Sequence, residues 1–380
     1  MPFKTDYIPL ISNSPLTERQ IMVWRFGTIG ARPKAYVQAS LHADEIPGML
    51  VARHLGQLLY QADQQNQIIG EVVVVPVANP IGLGQFLNAR LNGRYELGGA
   101  GNFNRHWPDL YSGLPDIVGH QLGQDGKKNI DIIRSALNQI LNQSQAITEM
   151  GSLKLTLARL AYDSDIALDL HCDDEALVHL FLTPAHWPDA SDLAAEIGSR
   201  ANLLCADSGG QSFDESLSTP WLKLAADFPS LPIPAACLAV TIEHRGSADV
   251  NDPMAKQDAQ AIFRFLQRRG LVKGNLGPLP SVLHQASDLA ACDIVRAPIG
   301  GIVVYLKELG DVVSTGEPLA EIMNPASALP FAARTPVVSG TDGFVLSRRL
   351  EHFVRPNDTI AKIVGKVSLP HRNGLLLEDK

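Results

Sequence analysis

Cysteine is sparse and scattered in this chain. The four residues, Cys172, Cys205, Cys237 and Cys292, form no Cys-X-X-Cys pair. Neither a disulfide framework nor a thiolate metal site is expected, and buried free thiols are. Long apolar runs are missing too: none approaches the ~20 residues of a membrane-spanning helix. The opening "MPFKTDYIPLISNSPLTERQ" lacks the charged start and unbroken apolar core of a signal peptide, so a cytoplasmic protein with no membrane partner is expected. Positive charge is in deficit, with 32 Lys and Arg against 40 Asp and Glu and a net charge of −8. That balance argues against a nucleic-acid partner, which needs a basic face. Disorder is excluded as well, because 45% of residues are apolar and only 19% charged,. The 380 residues leave room for two or three domains of about 100 to 200 residues each.

What is present alternates between two periods. "ERQIMVWRFG", "KAYVQASL", "GEVVVVPVANP", "DIALDLHCDD", "ALVHLFLTPA" and "CLAVTIEHRG" read as strands, several of them apolar on both faces,. "IPGMLVARHLGQLLYQAD" and "NDPMAKQDAQAIFRFLQRRG" carry apolar residues at helical spacing,. Residues 127–162 read as a helix pair broken near Gly151, and a Gly-rich excursion runs to about residue 126,. Strands alternating with helices predict an α/β/α sandwich with a mostly parallel or mixed sheet over residues 1–274, where sites gather at strand ends,. Residues 275–290 read as a linker. Over 291–380, "APIGGIVVYLKELGDVVSTGEPLAEIM" and "VVSGTDGFVLSRRLEHFVRPNDTIAKIVG" superimpose as a two-fold repeat of short strands, which predicts a small all-β unit,.

His42 and Glu45 stand three apart where "KAYVQASL" hands over to a helical pattern, so both can reach one ion ~2.0 Å away. The spacing alone is weak, since His106/Asp109, His171/Asp174 and His186/Asp189 repeat it; a surface histidine beside a helix-start carboxylate is the alternative. Position strengthens it: His171 ends a second interior strand whose carboxyl end would share that edge. Two His and one Glu leave a fourth position on zinc for water. Asp169, two residues before His171, is placed to orient its imidazole, with a solvated or capping Asp as the alternative. Glu243, at the end of "LAVTIE", is the candidate general base, or else simply a partner of His244 or Arg245. Asn104 and Arg105 in "GNFNRHWPD" are candidates for holding a substrate carboxylate. Arg94, with Arg90 as the fallback, is the candidate for steadying an oxyanion. Tyr305 reaches toward the site from the β unit or stays in that unit's own packing.

In this order, "LHADE", "NFNR", "DLH" and "TIEHRG" resemble the zinc, Asn-Arg, second zinc-histidine and catalytic-Glu segments of the succinylglutamate desuccinylase/aspartoacylase family, a branch of the zinc carboxypeptidase superfamily. The resemblance spans most of residues 18–270. It implies one zinc ion per chain on His42, Glu45 and His171, and hydrolysis of the amide of an N-acyl amino acid. In that scheme Glu243 activates water, Arg94 steadies the oxyanion, and Asn104 with Arg105 holds a carboxylate. Ala43 replaces the family's usual Gly, a mild change. Dicarboxylate-cleaving relatives carry an Arg shortly before the catalytic Glu; here Lys223 is the only Lys or Arg between Arg200 and Glu243. A neutral or differently charged N-acyl amino acid, or a short peptide as for a carboxypeptidase, is therefore equally open, and a non-catalytic binding module on the same fold is the alternative class. The repeat resembles the barrel-sandwich of lipoyl and biotinyl carriers, yet its connection "MNPASALPFAARTP" has no Lys, so a structural or gating cap is expected. Homo-oligomerisation is left open.

Overall fold

A computed structural model describes residues 3–374 and 376. Nine strands form the main sheet, in the order Lys4–Pro9, Gln20–Gly27, Glu71–Val75, Lys34–Ala39, Ile166–Asp173, Leu238–Gly246, His179–Leu182, Ala201–Leu204 and Ala286–Asp288. Its centre is parallel: Lys34–Ala39 pairs with Glu71–Val75 and Ile166–Asp173, and Ile166–Asp173 pairs with Leu238–Gly246. Antiparallel pairs flank that centre and make the sheet mixed.

Strand residues alternate between two apolar layers, because successive side chains point to opposite faces. Ala35, Val37, Ala39, Val72 and Val74 pack with helices Pro47–Gln64, Ser191–Ile197 and Asp252–Arg268 on one side. Tyr36, Val73 and Val75 pack on the other with helices Gly126–Gln143, Glu149–Ala161 and Phe213–Asp227. Both faces being covered, the central strands read as unbroken apolar runs. No helix among the described residues is long and apolar enough to cross a membrane.

Two details differ from the sequence reading. The helix pair breaks at residues 144–148 and not at Gly151: the Thr148 side chain accepts from the Gly151 amide at 3.0 Å and caps the second helix,. Gly151 therefore lies in its first turn. Within the stretch read as a linker, Ala286–Asp288 pairs in parallel with Asn202–Leu204 and closes one edge of the main sheet.

The C-terminal β unit has two sheets around its own core of Val303, Val313, Leu319, Ile322, Val345, Val354, Ile360 and Ile363. The predicted repeat is visible strand by strand. Gly301–Tyr305, Val312–Val313 and Pro318–Met323 correspond to Gly343–Arg348, Phe353–Val354 and Thr359–Gly365. Each copy lends its middle strand to the other: Val312–Val313 pairs with Gly343–Phe344, and Phe353–Val354 pairs with Gly301–Ile302. The unit is sewn to the main body through Glu175–Ala176, which pairs with Ser347–Arg348 and is reinforced by the Arg348–Glu175 ion pair at 3.1 Å. Tyr305 stays inside it, its hydroxyl donating to the Ile360 carbonyl at 2.8 Å.

Beyond Glu243, the central strand is anchored by Asp258 of the closing helix. Its carboxylate takes two bonds from Arg245, at 2.7 and 2.8 Å, and lies 3.0 Å from His244 Nδ1. Burial would raise the Asp258 pKa; His244 and Arg245 overcome it and hold the carboxyl well below the usual range. Removing the acid leaves the partly buried Arg245 guanidinium unpaired, so Asp258→Ala is expected to cost about 2 kcal/mol at neutral pH,. Because the folded pKa is depressed, that stability is present above the ordinary aspartate value of about 3.9 and is lost as pH falls below it. Urea denaturation of both proteins at several pH values should show the gap closing toward acid.

Candidate active site

The parallel register sets the site. Ala39 pairs with Leu170, and His171 with Glu243, so three strands end together at one edge. Past Ala39 the chain turns sharply at Ser40, which is buried and held at φ 65°. Asn79 fastens the new loop, its Nδ2 donating to the Leu41 carbonyl at 2.8 Å while its Oδ1 accepts from the Gly82 amide. The Asn-Pro that stops the Glu71–Val75 strand thus also positions His42. The Glu45 amide donates to the His42 carbonyl at 3.1 Å, closing a turn that puts both side chains on one side.

Three ligand atoms converge there. His42 Nδ1 lies 2.8 Å from Glu45 Oε1, and His171 Nδ1 lies 2.7 Å from Glu45 Oε2. All three residues are buried, with the candidate ligand atoms within 4.8 Å of one another. The rings meet edge to face, their centroids 5.0 Å apart. Each far nitrogen is held from behind. His42 Nε2 sits 2.8 Å from Asn102 Oδ1. His171 Nε2 sits 2.9 Å from Asp169 Oδ2, in ionic contact but out of line for a hydrogen bond. Asp169 in turn accepts from Gln38 Nε2 at 3.0 Å, and Gln38 accepts from the Tyr36 hydroxyl at 2.8 Å. Such backing fixes ring orientation and aims Nδ1 inward. His171 therefore answers to Glu45 and Asp169, and not to Asp174 at the i+3 spacing noted in the sequence.

Burial would raise the Glu45 pKa, but the two imidazoles override it and hold the carboxyl well below its usual range. His171 moves the other way: burial would lower it, and Asp169 and Glu45 lift it well above an ordinary histidine. Burial and Arg94 push His42 down. A negative pocket between two imidazoles suits a divalent cation, which takes up that charge as the ligands lose their protons. Two nitrogens and a carboxylate oxygen are the donor set of hydrolytic zinc sites, and the residues present fit such an ion.

The remaining sequence candidates line the same cavity: Arg94, Asn104, Arg105 and Glu243. Arg94 Nη1 donates to Glu45 Oε1 at 3.0 Å and lies 3.2 Å from His42 Nδ1. Gly93 permits that approach, since a Cβ there would sit 2.2 Å from the Asp44 amide nitrogen. Arg90 is exposed on a short hairpin and is not among the cavity residues. Asn104 Oδ1 accepts from the Phe213 amide at 2.8 Å and from Trp107 Nε1 at 3.1 Å, which fixes Arg105 beside it. Glu243 is pushed up to about 8, by burial first and by the charge of Glu45 second. Its Oε2 is buried without a hydrogen-bond partner.

Several cavity residues were not read from the sequence. Lys362, on the C-terminal strand Thr359–Gly365, enters the cavity and bonds Asp173 Oδ2. A lysine inside the apolar run "TIAKIVG" was its one signal. Ser208, Asp214 and Glu215 line another part of the wall. Lys223 does not; it lies over the Tyr111 ring, 5.4 Å from the centroid.

A family model for the succinylglutamate desuccinylase/aspartoacylase catalytic domain matches residues 31–269. The chain belongs to this family. Among solved structures, a Shewanella frigidimarina protein described as a candidate succinylglutamate desuccinylase/aspartoacylase superimposes with a TM-score of 0.84 at 21% identity, covering 96% of this chain and 97% of that one. A Shewanella amazonensis protein, a candidate member of the same family, gives 0.81 at 24% identity, with 96% and 99% covered. The product-bound ectoine utilization protein EutE (DoeB) of Ruegeria pomeroyi gives 0.65 at 15% identity, with 95% and 94% covered. At these identities the likeness speaks for the fold, including the C-terminal β unit. No curated protein matches the chain in sequence.

Removing the support behind one ligand should loosen the ion. Asn102→Ala is expected to weaken zinc binding about 10- to 100-fold while all three ligands remain; competition against a colorimetric chelator measures it.

Proposed function

We propose that the protein is a zinc-dependent amidohydrolase releasing a carboxylate and an amine from an N-acyl amino acid. The observation that carries this reading is the pairing of two features on neighbouring strand ends. One is the buried cluster of His42, Glu45 and His171; the other is Glu243, a carboxylate next to His171 in register whose Oε2 has no hydrogen-bond partner. A structural glutamate in that setting would be costly unless paired. Family membership supports hydrolysis of this general kind.

In this reading His42, Glu45 and His171 hold the ion. Zinc, when bound, polarises the amide carbonyl and lowers the pKa of water toward about 7. Glu243 accepts the proton of the attacking water as the new C–O bond forms, and delivers it to the nitrogen as the C–N bond breaks. Asn104 and Arg105 anchor the substrate carboxylate, the guanidinium offering a planar two-point fork. Arg94, half exposed and resting on Glu45, turns to the substrate oxygen as negative charge develops there. The same groups would serve a carboxypeptidase, and preferential cleavage of short peptides over N-acyl amino acids would select that activity instead.

Glu243→Gln is expected to lower kcat about 100- to 10,000-fold, the usual worth of a general base. It should still bind one zinc per chain by elemental analysis. Retained turnover would remove Glu243 from this role. Chelation of the wild-type protein should abolish hydrolysis, and added zinc should restore it; activity indifferent to the chelator would overturn the metal assignment.

A further inference from the structure

Asp214 and Glu215 begin the helix Phe213–Asp227 and line the cavity that holds His42, Glu45 and His171. Acids in a first helical turn are common, being favourable to the helix dipole. These two are unusual in being buried, with 8% and 7% of their surface exposed. Several other buried carboxylates carry basic partners, whereas Asp293 is met by the Gly340 amide. Glu149 is paired with Arg19, Glu71 with Arg25, Glu196 with Arg264 and Arg268, and Asp258 with Arg245. Among the described residues, neither Asp214 nor Glu215 is paired with a base.

Their polar partners leave capacity unused. Glu215 Oε1 accepts from the Ser208 amide at 2.7 Å, while Glu215 Oε2 is buried without a hydrogen-bond partner. Ser208 Oγ, on a residue only 1% exposed, is likewise buried and unpartnered, and Ser208 lines the same cavity. Asp214 Oδ1 accepts from the Ser212 hydroxyl at 2.5 Å. Burial, and then the charge of Glu215, push Asp214 up to about 7. Two neighbouring carboxylates and a hydroxyl with spare capacity make a site short of one cation.

Of the three cations in the wall, Arg105 donates to the Asn104 carbonyl at 2.7 Å and is the proposed carboxylate anchor, and the other two are committed to other acids. Arg94 is bonded to Glu45, and Lys362 to Asp173. The acidic segment is also fastened to the carboxylate anchor. The Phe213 amide donates to Asn104 Oδ1, the His106 amide donates to the Gly210 carbonyl, and Gly210 packs so tightly on Arg105 that a Cβ would lie 2.4 Å from its Cδ. The carboxylate anchor and the acidic pair are therefore adjoining parts of one cavity wall.

We propose that Asp214, Glu215 and Ser208 form a subsite for a cationic side chain, so that the preferred substrate is an Nα-acyl amino acid bearing a side-chain ammonium. This rests on the deacylase reading for its placement of the carboxylate and amide. The ammonium donates to Glu215 Oε2 and Ser208 Oγ, both otherwise buried and idle, and to Asp214 beside them,.

The test pairs turnover with binding on the zinc-loaded full chain. Nα-acetylornithine and Nα-acetylnorleucine are nearly isosteric and differ in the terminal charge; Nα-acetylglutamate supplies the opposite sign. The expected result is a kcat/KM for the ornithine derivative about tenfold or more above the norleucine one, with the glutamate derivative lowest. Free ornithine should likewise bind more tightly than free norleucine by calorimetry. In Glu215→Gln and in Asp214→Asn, both preferences should shrink to about threefold or less. Equal or reversed preference in the wild-type protein overturns the subsite without needing either variant, as does a preference that survives both. Hydrolysis of all three amides without discrimination would leave the deacylase standing and remove the acidic subsite. Glu215-dependent binding of ornithine with no amide hydrolysed would do the reverse, and absence of both binding preference and hydrolysis would remove both.

Discussion

Both oxygens of Glu45 are occupied, one by the imidazole of His42 three residues earlier in the chain and the other by that of His171, with the Cys172 amide adding a bond at 3.1 Å. A buried carboxylate bridging two strand ends is the constraint around which the site is arranged. It requires the loop just past Ala39 to lie beside His171 on the neighbouring strand, and hence the parallel pairing of Ala39 with Leu170. It requires the turn at Ser40 and the Asn79 clamp, which bring the His42 loop back over that edge. The helix Pro47–Gln64 must then start immediately, and Gly48 allows it: a Cβ there would lie 2.8 Å from the Leu170 carbonyl oxygen. Local chemistry and sheet topology point to the same arrangement, which is the mark of a chain that specifies one structure.

That arrangement was largely legible in the chain because its signals are local. Val-rich runs stopped by Asn-Pro, a histidine closing "IALDLH" and a glutamate closing "LAVTIE" each place a functional group at a strand end, and parallel topology brings such ends together. The family resemblance is likewise carried by segments of three to six residues, and the matched domain at residues 31–269 agrees with it. Helix limits were less legible where capping competes with glycine. Gly151 looked like a breaker, while Thr148 three residues earlier supplied the cap,.

What was not legible depends on contacts between distant parts of the chain. Lys362 belongs to a strand more than a hundred residues beyond Glu243, and enters the cavity because its strand is sewn to the main body through Glu175–Ala176. Asp214 and Glu215 look like ordinary helix-start acids until their burial and their lack of basic partners are seen. Pro220, inside the same helix, hides that element from a reading by propensity. Charge in the sequence says which groups exist, whereas only packing says which of them have been left with nothing to bind.

The internal repeat of the β unit has one more consequence. Laying "PLAEIM" over "TIAKIV" puts Glu321 and Lys362 at the same place in their strands. Glu321 pairs with Arg334 at 3.2 Å on the outside, while its counterpart meets Asp173 within the cavity. A duplicated strand thus offers one backbone position twice, in two environments. The outer copy meets solvent and the inner copy forms part of the cavity wall, so this wall can change without disturbing the scaffold that presents it.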